Sequence, residues 1–395
     1  MGVGRRASAW ALAIAALGTA HAAAAVPQEG AARAIGAVYR VEVTLHVDGF
    51  LVRPAAPSGR PQRVMLSPGE RTVVRTGTAF AVTPDGILAT SAQLVAPDAA
   101  DVVQIAGPRA LAGRGTATNP AGLRAWSRRA TPIEARVTGI RLWPAYASGR
   151  SPSNARALPA RVVAGSVVDG VALVESAGTV GAPALGTVRN AREVALVGFG
   201  RAAPNTPLEP GVRLGRVAGG LEPAGGPVRP VYSIEAASGD LGAPLVDADG
   251  RVAAIALAEF DAAGCRACVL TASVDAIGAS MRGAGVGTDR GVAGRALDDA
   301  FAIARTGDVD GATGAYRRAE AAFPALRDRA DIVGVILSRA DDAERHGRLT
   351  ALLWALVLVQ LIAAGALVWR ALTLRPAAPG GRPPKARTST RSTSR

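Results

Sequence analysis

Hydrophobic positions along the chain follow three different patterns. Between residues 36 and 280 they come in short runs rich in Val, Ile, Leu and Ala, at 37–47, 78–82, 87–91, 160–163, 171–175, 193–198, 231–235 and 252–257, separated by Gly, Pro and Asp. Short apolar runs bounded by turn residues predict strands, and many in succession predict a sandwich or barrel. Strand–helix alternation is missing, which disfavours a doubly wound sheet. Between 294 and 347 the period becomes helical, and helices are expected over 296–306, 308–322 and 326–347. Leu326, Ala330, Val333, Leu337 and Ala340 recur at helical spacing in the third. Pro324 ends the second helix, because proline lacks the amide proton that a helix interior needs.

The third pattern is continuous apolarity, and it occurs at both ends. Arg5 and Arg6 precede an apolar run over 7–25 that closes on Ala23, Ala24 and Ala25. A basic start, an apolar stretch and small residues at its end predict a secretory signal over 1–25. A second run, 349–369, is interrupted only by Thr350, small residues and Gln360. About 20 apolar residues cross a hydrocarbon core as a helix, so a transmembrane helix is expected here. Trp354 and Trp369 suit the interface, and the basic residues that follow predict that this end stays in the cytoplasm. The expected arrangement is a single-pass protein of the bacterial cytoplasmic membrane with its main part exported. The tail over 370–395, rich in Pro, Gly, Ser and Thr, is expected to be disordered.

Charge changes this picture little. The net charge of +14 would suit a nucleic-acid binder. Much of the excess, however, sits in the tail, at Arg370, Arg375, Arg382, Lys385, Arg387, Arg391 and Arg395, with no acid among them. No basic stripe interleaved with aromatics occurs elsewhere, so no nucleic-acid partner is expected.

Four blocks within 36–282 carry candidate chemistry. The first, GTAFAVTPDGILATSAQLV over 77–95, resembles the stretch of trypsin-like proteases, above all the bacterial HtrA type, that holds a Pro-Asp-Gly turn and then the general-base histidine. The second, VDGVALV over 168–174, resembles the family's strand bearing the orienting carboxylate. The third is EVALVGFG over 193–200. The fourth, SGDLGAPLV over 238–246, resembles the segment around the nucleophilic serine. Taken in this order, the blocks identify 36–282 as similar to a trypsin-like domain. The resemblance implies a mainly β fold, a double β-barrel, followed by a small helical region and one transmembrane helix. A polar stretch over 107–154, containing Trp126 and Trp143, reads as a loop insertion.

On that resemblance the triad positions are Gln93, Gly170 and Leu241. Glutamine cannot accept a proton near neutral pH, leucine offers no nucleophile and glycine orients nothing, so no catalytic residue is expected. The substitutes are poor. His21 leaves with the signal, His346 lies beside the membrane and His46 is on the first strand. Lys385, the only lysine, is in the tail. Asp169 stands one position before Gly170 and reads as a turn residue. Gly239, Asp240, Leu241 and Gly242 would keep the shape of the oxyanion turn, leaving a cleft that is either open to an extended peptide or filled by Leu241.

Cys265 and Cys268 are the only cysteines. A lone C-x-x-C is half of a zinc ribbon, so no metal and no cofactor are expected. In an exported chain the pair is expected to form a local disulfide across a hairpin, with a redox role as the alternative. The helices of 294–347 resemble one tetratricopeptide hairpin, and are expected to form a stalk that either caps itself or pairs with a second copy or a partner. The function expected is that of a non-catalytic, protein- or peptide-binding module outside the membrane. The alternatives are a hydrolase of residual or unusual activity and a structural or redox-sensing component of the envelope.

Overall fold

The computed structural model describes residues 26–53, 62–65, 72–98, 101–103, 107, 134–145, 156–200, 209–222, 228–262 and 265–373. The signal-like segment 1–25, the tail beyond 373 and Trp126 lie outside them. The chain forms two compact units, one ending at Asp341 and the other beginning at Asp342.

The first unit holds two closed six-stranded barrels. The first is made of β1 (Val38–Asp48), β4 (Thr72–Ala81), β5 (Ile87–Ser91), β6 (Glu134–Pro144), β7 (Leu158–Ser166) and β8 (Val171–Glu175), in the order β1-β4-β5-β8-β7-β6. A small hairpin, β2 (Phe50–Arg53) with β3 (Gln62–Met65), lies between β1 and β4 in sequence. The second barrel is made of β9 (Glu193–Gly198), β10 (Gly211–Leu221), β11 (Arg229–Ser233), β12 (Pro244–Val246), β13 (Val252–Ala262) and β14 (Cys265–Ser273), in the order β10-β11-β14-β13-β12-β9. The mainly β, double-barrel expectation is met.

Alternation along single strands decides which core each residue enters. In β9, Val194 and Leu196 join the interior of the second barrel, with Tyr232, Ile234, Leu245 and Val269. Their neighbours Ala195 and Val197 face the other way, into a larger core that also takes Val41, Val43 and Leu45 of β1, Phe80, Leu88, Leu142 and Leu173. Successive strand side chains point to opposite faces. A strand buried on both faces therefore reads as the unbroken apolar run seen at 194–197.

One expectation is corrected. The stretch 107–154 is not all loop, because its residues 134–144 form β6, a full barrel strand pairing with β1 and β7. Its apolar alternation is broken at Gly139, and the pairing with β1 shifts register between Thr44 and Leu45, so the run does not read as a strand. Helix α1 (Val26–Ile35) precedes the expected start at 36 and buries Ala31, Ala32 and Ala34 in the larger core. Arg33 is buried as well, donating to the Asp249 carbonyl at 2.6 Å and pairing with Asp298.

The helices expected as a stalk belong to the same core. After the short α2 (Ala92–Val95) and α3 (Val274–Gly283) come α4 (Gly291–Ala304) and α5 (Val309–Ala322), which form a hairpin, then a 3-10 turn (Pro324–Asp328) and α6 (Ala330–Thr373). The Asp308 carboxylate caps α5 by accepting from the Gly311 amide at 2.8 Å. Leu297, Phe301, Tyr316, Ile332 and Ile336 are buried in the core shared with the first barrel. Arg329 donates to the Ala145 carbonyl at the end of β6, at 2.7 Å. Of the expected stripe, Leu326 and Ala340 are buried and Val333 is half-buried, while Leu337 is exposed. That face is therefore turned inward at Leu326 and Ala340 and open at Leu337.

The second unit begins at Asp342. Its part of α6 carries Leu349, Leu353, Trp354, Leu358, Ile362 and Trp369, all exposed. Among the described residues α6 is the one helix long and apolar enough to cross a membrane, with a window of mean hydropathy 2.2.

Candidate functional site

The segments that hold the three expected triad positions are tied to one another through neighbouring residues. Gln93 is the second residue of α2, which follows β5 directly. The Gln93 carbonyl accepts from the Arg75 guanidinium at 2.6 Å. Burial disfavours the charge on Arg75, and Asp101 and Asp98 favour it, with burial the larger effect. The amide of Ala92, next to Gln93, donates to the Gly170 carbonyl at 2.9 Å. So α2 and the β7–β8 turn are fixed to each other by the backbone.

Gly170 closes that turn with φ +79, in the left-handed region that glycine tolerates best. A Cβ placed on it would stand 2.7 Å from Cδ1 of Leu257, on β13. The space where a side chain at 170 would begin is thus filled from the second barrel. Asp169 is partly exposed, and its amide donates to the Ser166 hydroxyl at 3.1 Å, as befits a turn residue.

Leu241 ends the 3-10 turn Ser238–Asp240 and is half-buried. Its carbonyl accepts from the Thr78 amide of β4 at 2.7 Å. The Thr78 hydroxyl donates to the Gly239 carbonyl at 2.8 Å, and the Thr90 hydroxyl donates to the Thr78 carbonyl at 2.7 Å. Gly242 (φ +84) fits beneath them, since a Cβ there would lie 2.2 Å from the Thr78 carbonyl oxygen. Its amide donates to the Ala256 carbonyl at 2.8 Å. Barrel one is therefore hydrogen-bonded to the turn of barrel two at Gly239 and at Leu241 itself.

Two features of this turn bear on chemistry. An oxyanion hole needs backbone N–H groups free to meet a developing charge. The Gly239 amide instead donates to the Gly200 carbonyl at 2.7 Å. Asp240 is not a free acid either. Its side chain has no exposed surface, accepts from the amides of Gly200 at 2.9 Å and Ala237 at 2.7 Å, and is paired with Arg213 of β10. Arg213 and Leu257 escaped sequence reasoning, because each reaches the site from a strand distant in sequence.

His46 is elsewhere. It lies opposite Thr72, five residues along β4 from Gly77, which adjoins Leu241. At about 3.3 Å per residue that is on the order of 17 Å. It contacts Asp48 at 3.3 Å. Cys265 and Cys268 are disulfide-bonded, with Cα atoms 5.9 Å apart. Both lie in β14, so the bond spans a bulge within one strand rather than a hairpin. Ala267 between them takes φ 56, and its carbonyl accepts from the Ile234 amide at 3.0 Å. Among the described residues no group of His, Cys, Asp and Glu is arranged to hold a metal ion.

No family model and no curated protein matches the chain. Among solved structures it is similar to the HtrA-type protease AlgW with a decapeptide, with a TM-score of 0.38 and 15% identity over 64% of this chain and 66% of that one. It is likewise similar to the active form of the Rv3671c protease from M. tuberculosis, with a TM-score of 0.39 and 16% identity over 68% of this chain and 89% of that one. The match spans just under two thirds of the AlgW chain's own length. The order of strands in the two closed barrels is the double-barrel arrangement of the trypsin-like fold.

Proposed function

We propose that this chain is a pseudoprotease: a trypsin-like double barrel without peptidase chemistry, displayed on the outer side of a bacterial cytoplasmic membrane and acting as a protein- or peptide-binding module. One observation carries the reading. On the family pattern the positions of base, orienting carboxylate and nucleophile hold Gln93, Gly170 and Leu241, and Leu257 fills the space at Gly170. Nucleophilic catalysis needs a hydroxyl or thiol beside a base. His46 stands well away on β1, Asp240 is engaged by Arg213, and both cysteines are bonded to each other. The committed Gly239 amide agrees with this reading.

The anchor is the apolar part of α6, whose exposed leucines and tryptophans suit lipid. The basic tail places the C-terminus in the cytoplasm and the barrels outside. The α4–α5 hairpin, which resembles a tetratricopeptide unit, completes the exported body.

The test is cleavage of casein by the full chain, with labelling by a fluorophosphonate probe of serine hydrolases. No cleavage above background and no labelling are expected. Turnover that co-purifies with the chain and survives Leu241→Ala would mean that other residues build an active site, and the proposal would fall.

A further inference from the structure

β7 is paired on both sides over only part of its length. Its first three residues, Leu158 to Ala160, pair with Leu142 to Ile140 of β6. From Arg161 to Ser166 its ladder pairing is with β8, and among the described residues no strand is paired with its other side, although the Ser166 carbonyl accepts from the Gly170 amide at 2.8 Å. Natural sheets guard such edges with charges, prolines or cover, because unpaired N–H and C=O groups template a further strand. This edge carries one charge, Arg161, which Glu175 of the same sheet neutralises at 2.6 Å. The remainder is apolar and exposed: Val162 at 43%, Val163 at 38%, and beyond the strand Val167 at 51% and Val168 at 66%. Four exposed valines within seven residues form a patch rather than scattered surface residues. A shallow cavity of about 490 Å³ adjoins the start of the edge, lined by Pro159, Ala160, Arg161, Glu175, Ser176 and Val180.

We propose that the edge of β7 over 161–166 is a docking site for an extended segment of a partner polypeptide, which adds to the first barrel as a further strand. The unpaired backbone groups select an extended chain, and the exposed valines select apolar, β-branched side chains on it. The charges that adjoin the edge lie at its two ends, Asp85 in the cavity and Arg229 donating to the Val168 carbonyl at 2.7 Å, so the valines between them favour an apolar segment. The cavity receives a side chain at one end. Six residues extend over about 20 Å, the length of a peptide strand. An edge of that length covers far less than the roughly 1,200 Å² at the low end of stable protein pairs, which favours a peptide segment over a second copy. The site lies apart from the Leu241 turn and does not rest on the loss of catalysis. An active enzyme in the casein assay would leave it standing, and its own failure would leave the pseudoprotease reading standing.

The experiment uses the full chain in lipid nanodiscs and a fluorescein-labelled heptapeptide of alternating Thr and Val, with a Gly/Ser heptapeptide as control. Saturable anisotropy is expected with the first peptide only, together with amide exchange slowed at least about fivefold over 161–168 and not elsewhere. Val163→Lys, on an exposed side chain, should weaken binding by about tenfold or more while leaving the melting temperature unchanged, and Val162→Lys serves as its replicate. Absence of saturable binding overturns the proposal. So does protection that falls on the 238–241 turn, or protection of 161–168 that grows with protein concentration in the absence of peptide, the signature of a second copy.

Discussion

Gly170 shows how one residue ties the two barrels. Its φ of +79 suits glycine, and Leu257 leaves no room for a Cβ. Gly170→Asp, which would return a carboxylate to the orienting position, combines backbone strain with overpacking and should destabilise the protein by about 2–4 kcal/mol. Chemical denaturation checks this, and a second variant tests the cause. In a Leu257→Ala background the same substitution should cost less by about 1 kcal/mol or more, since the two sites are in contact. Strictly additive losses would show that Leu257 is not what excludes the side chain. Asp240 gives a second case. Arg213→Met leaves a fully buried carboxylate with its two backbone donors but without its cation, and should cost about 2–4 kcal/mol. A loss below about 0.5 kcal/mol would mean that the amides of Gly200 and Ala237 suffice.

At the scale of elements, legibility in the sequence follows from how each element is buried. Strands at 87–91, 171–175 and 193–198 are buried on nearly every residue, and so appear as unbroken apolar runs. β10 does not, because it is glycine-rich and largely exposed on both faces. Helix α1 was illegible for a different reason. Its buried face is made of Ala31, Ala32 and Ala34, short side chains that follow Pro27, Gln28, Glu29 and Gly30, so no large apolar stripe marks a helix. The candidate site was legible in its positions, since local blocks carry Gln93, Gly170 and Leu241, but not in its fillings, since Leu257 and Arg213 arrive from other strands.

α1 also yields a pH prediction. Glu29 lies between Arg339, Arg305 and Asp249, and burial outweighs the two arginines to raise its pKa above the usual carboxylate range. A raised carboxyl favours the proton in the folded state, so its contribution to stability is present below the unfolded pKa and is lost as pH rises through the folded one. The stability of the natural chain relative to Glu29→Gln should therefore fall between pH 4 and pH 7.5, which thermal melts at the two pH values would read. A relative gain over that interval would mean that the arginine pairs outweigh burial.

The whole molecule is organised around a core that ignores the boundaries its sequence suggests. A barrel domain at 36–282 with a separate stalk at 294–347 would fold without either neighbour. The structure instead sets Leu326 and Ile332 against Gly36, Phe323 against Gly181 and Pro84 against Gly291, and it joins Arg33 of α1 to Asp298 of α4. Fully burying a large apolar side chain contributes about 1.5–3 kcal/mol. Losing Leu297, Phe301, Tyr316, Ile332 and Ile336 from the shared core therefore removes on the order of 8–15 kcal/mol, as much as the entire stability of an ordinary domain. A chain of residues 36–282 should thus fail to give a cooperative thermal transition and should bind hydrophobic dyes. A chain of 26–341, which retains α1 and the helical hairpin, should melt cooperatively. The informative comparison is 26–285, which keeps α1 and lacks only the helices. If it melts as sharply as 26–341, the helices are an appendage after all and the folded body is the barrel pair alone. If it does not, the barrels and the helices over 291–341 are one folding unit.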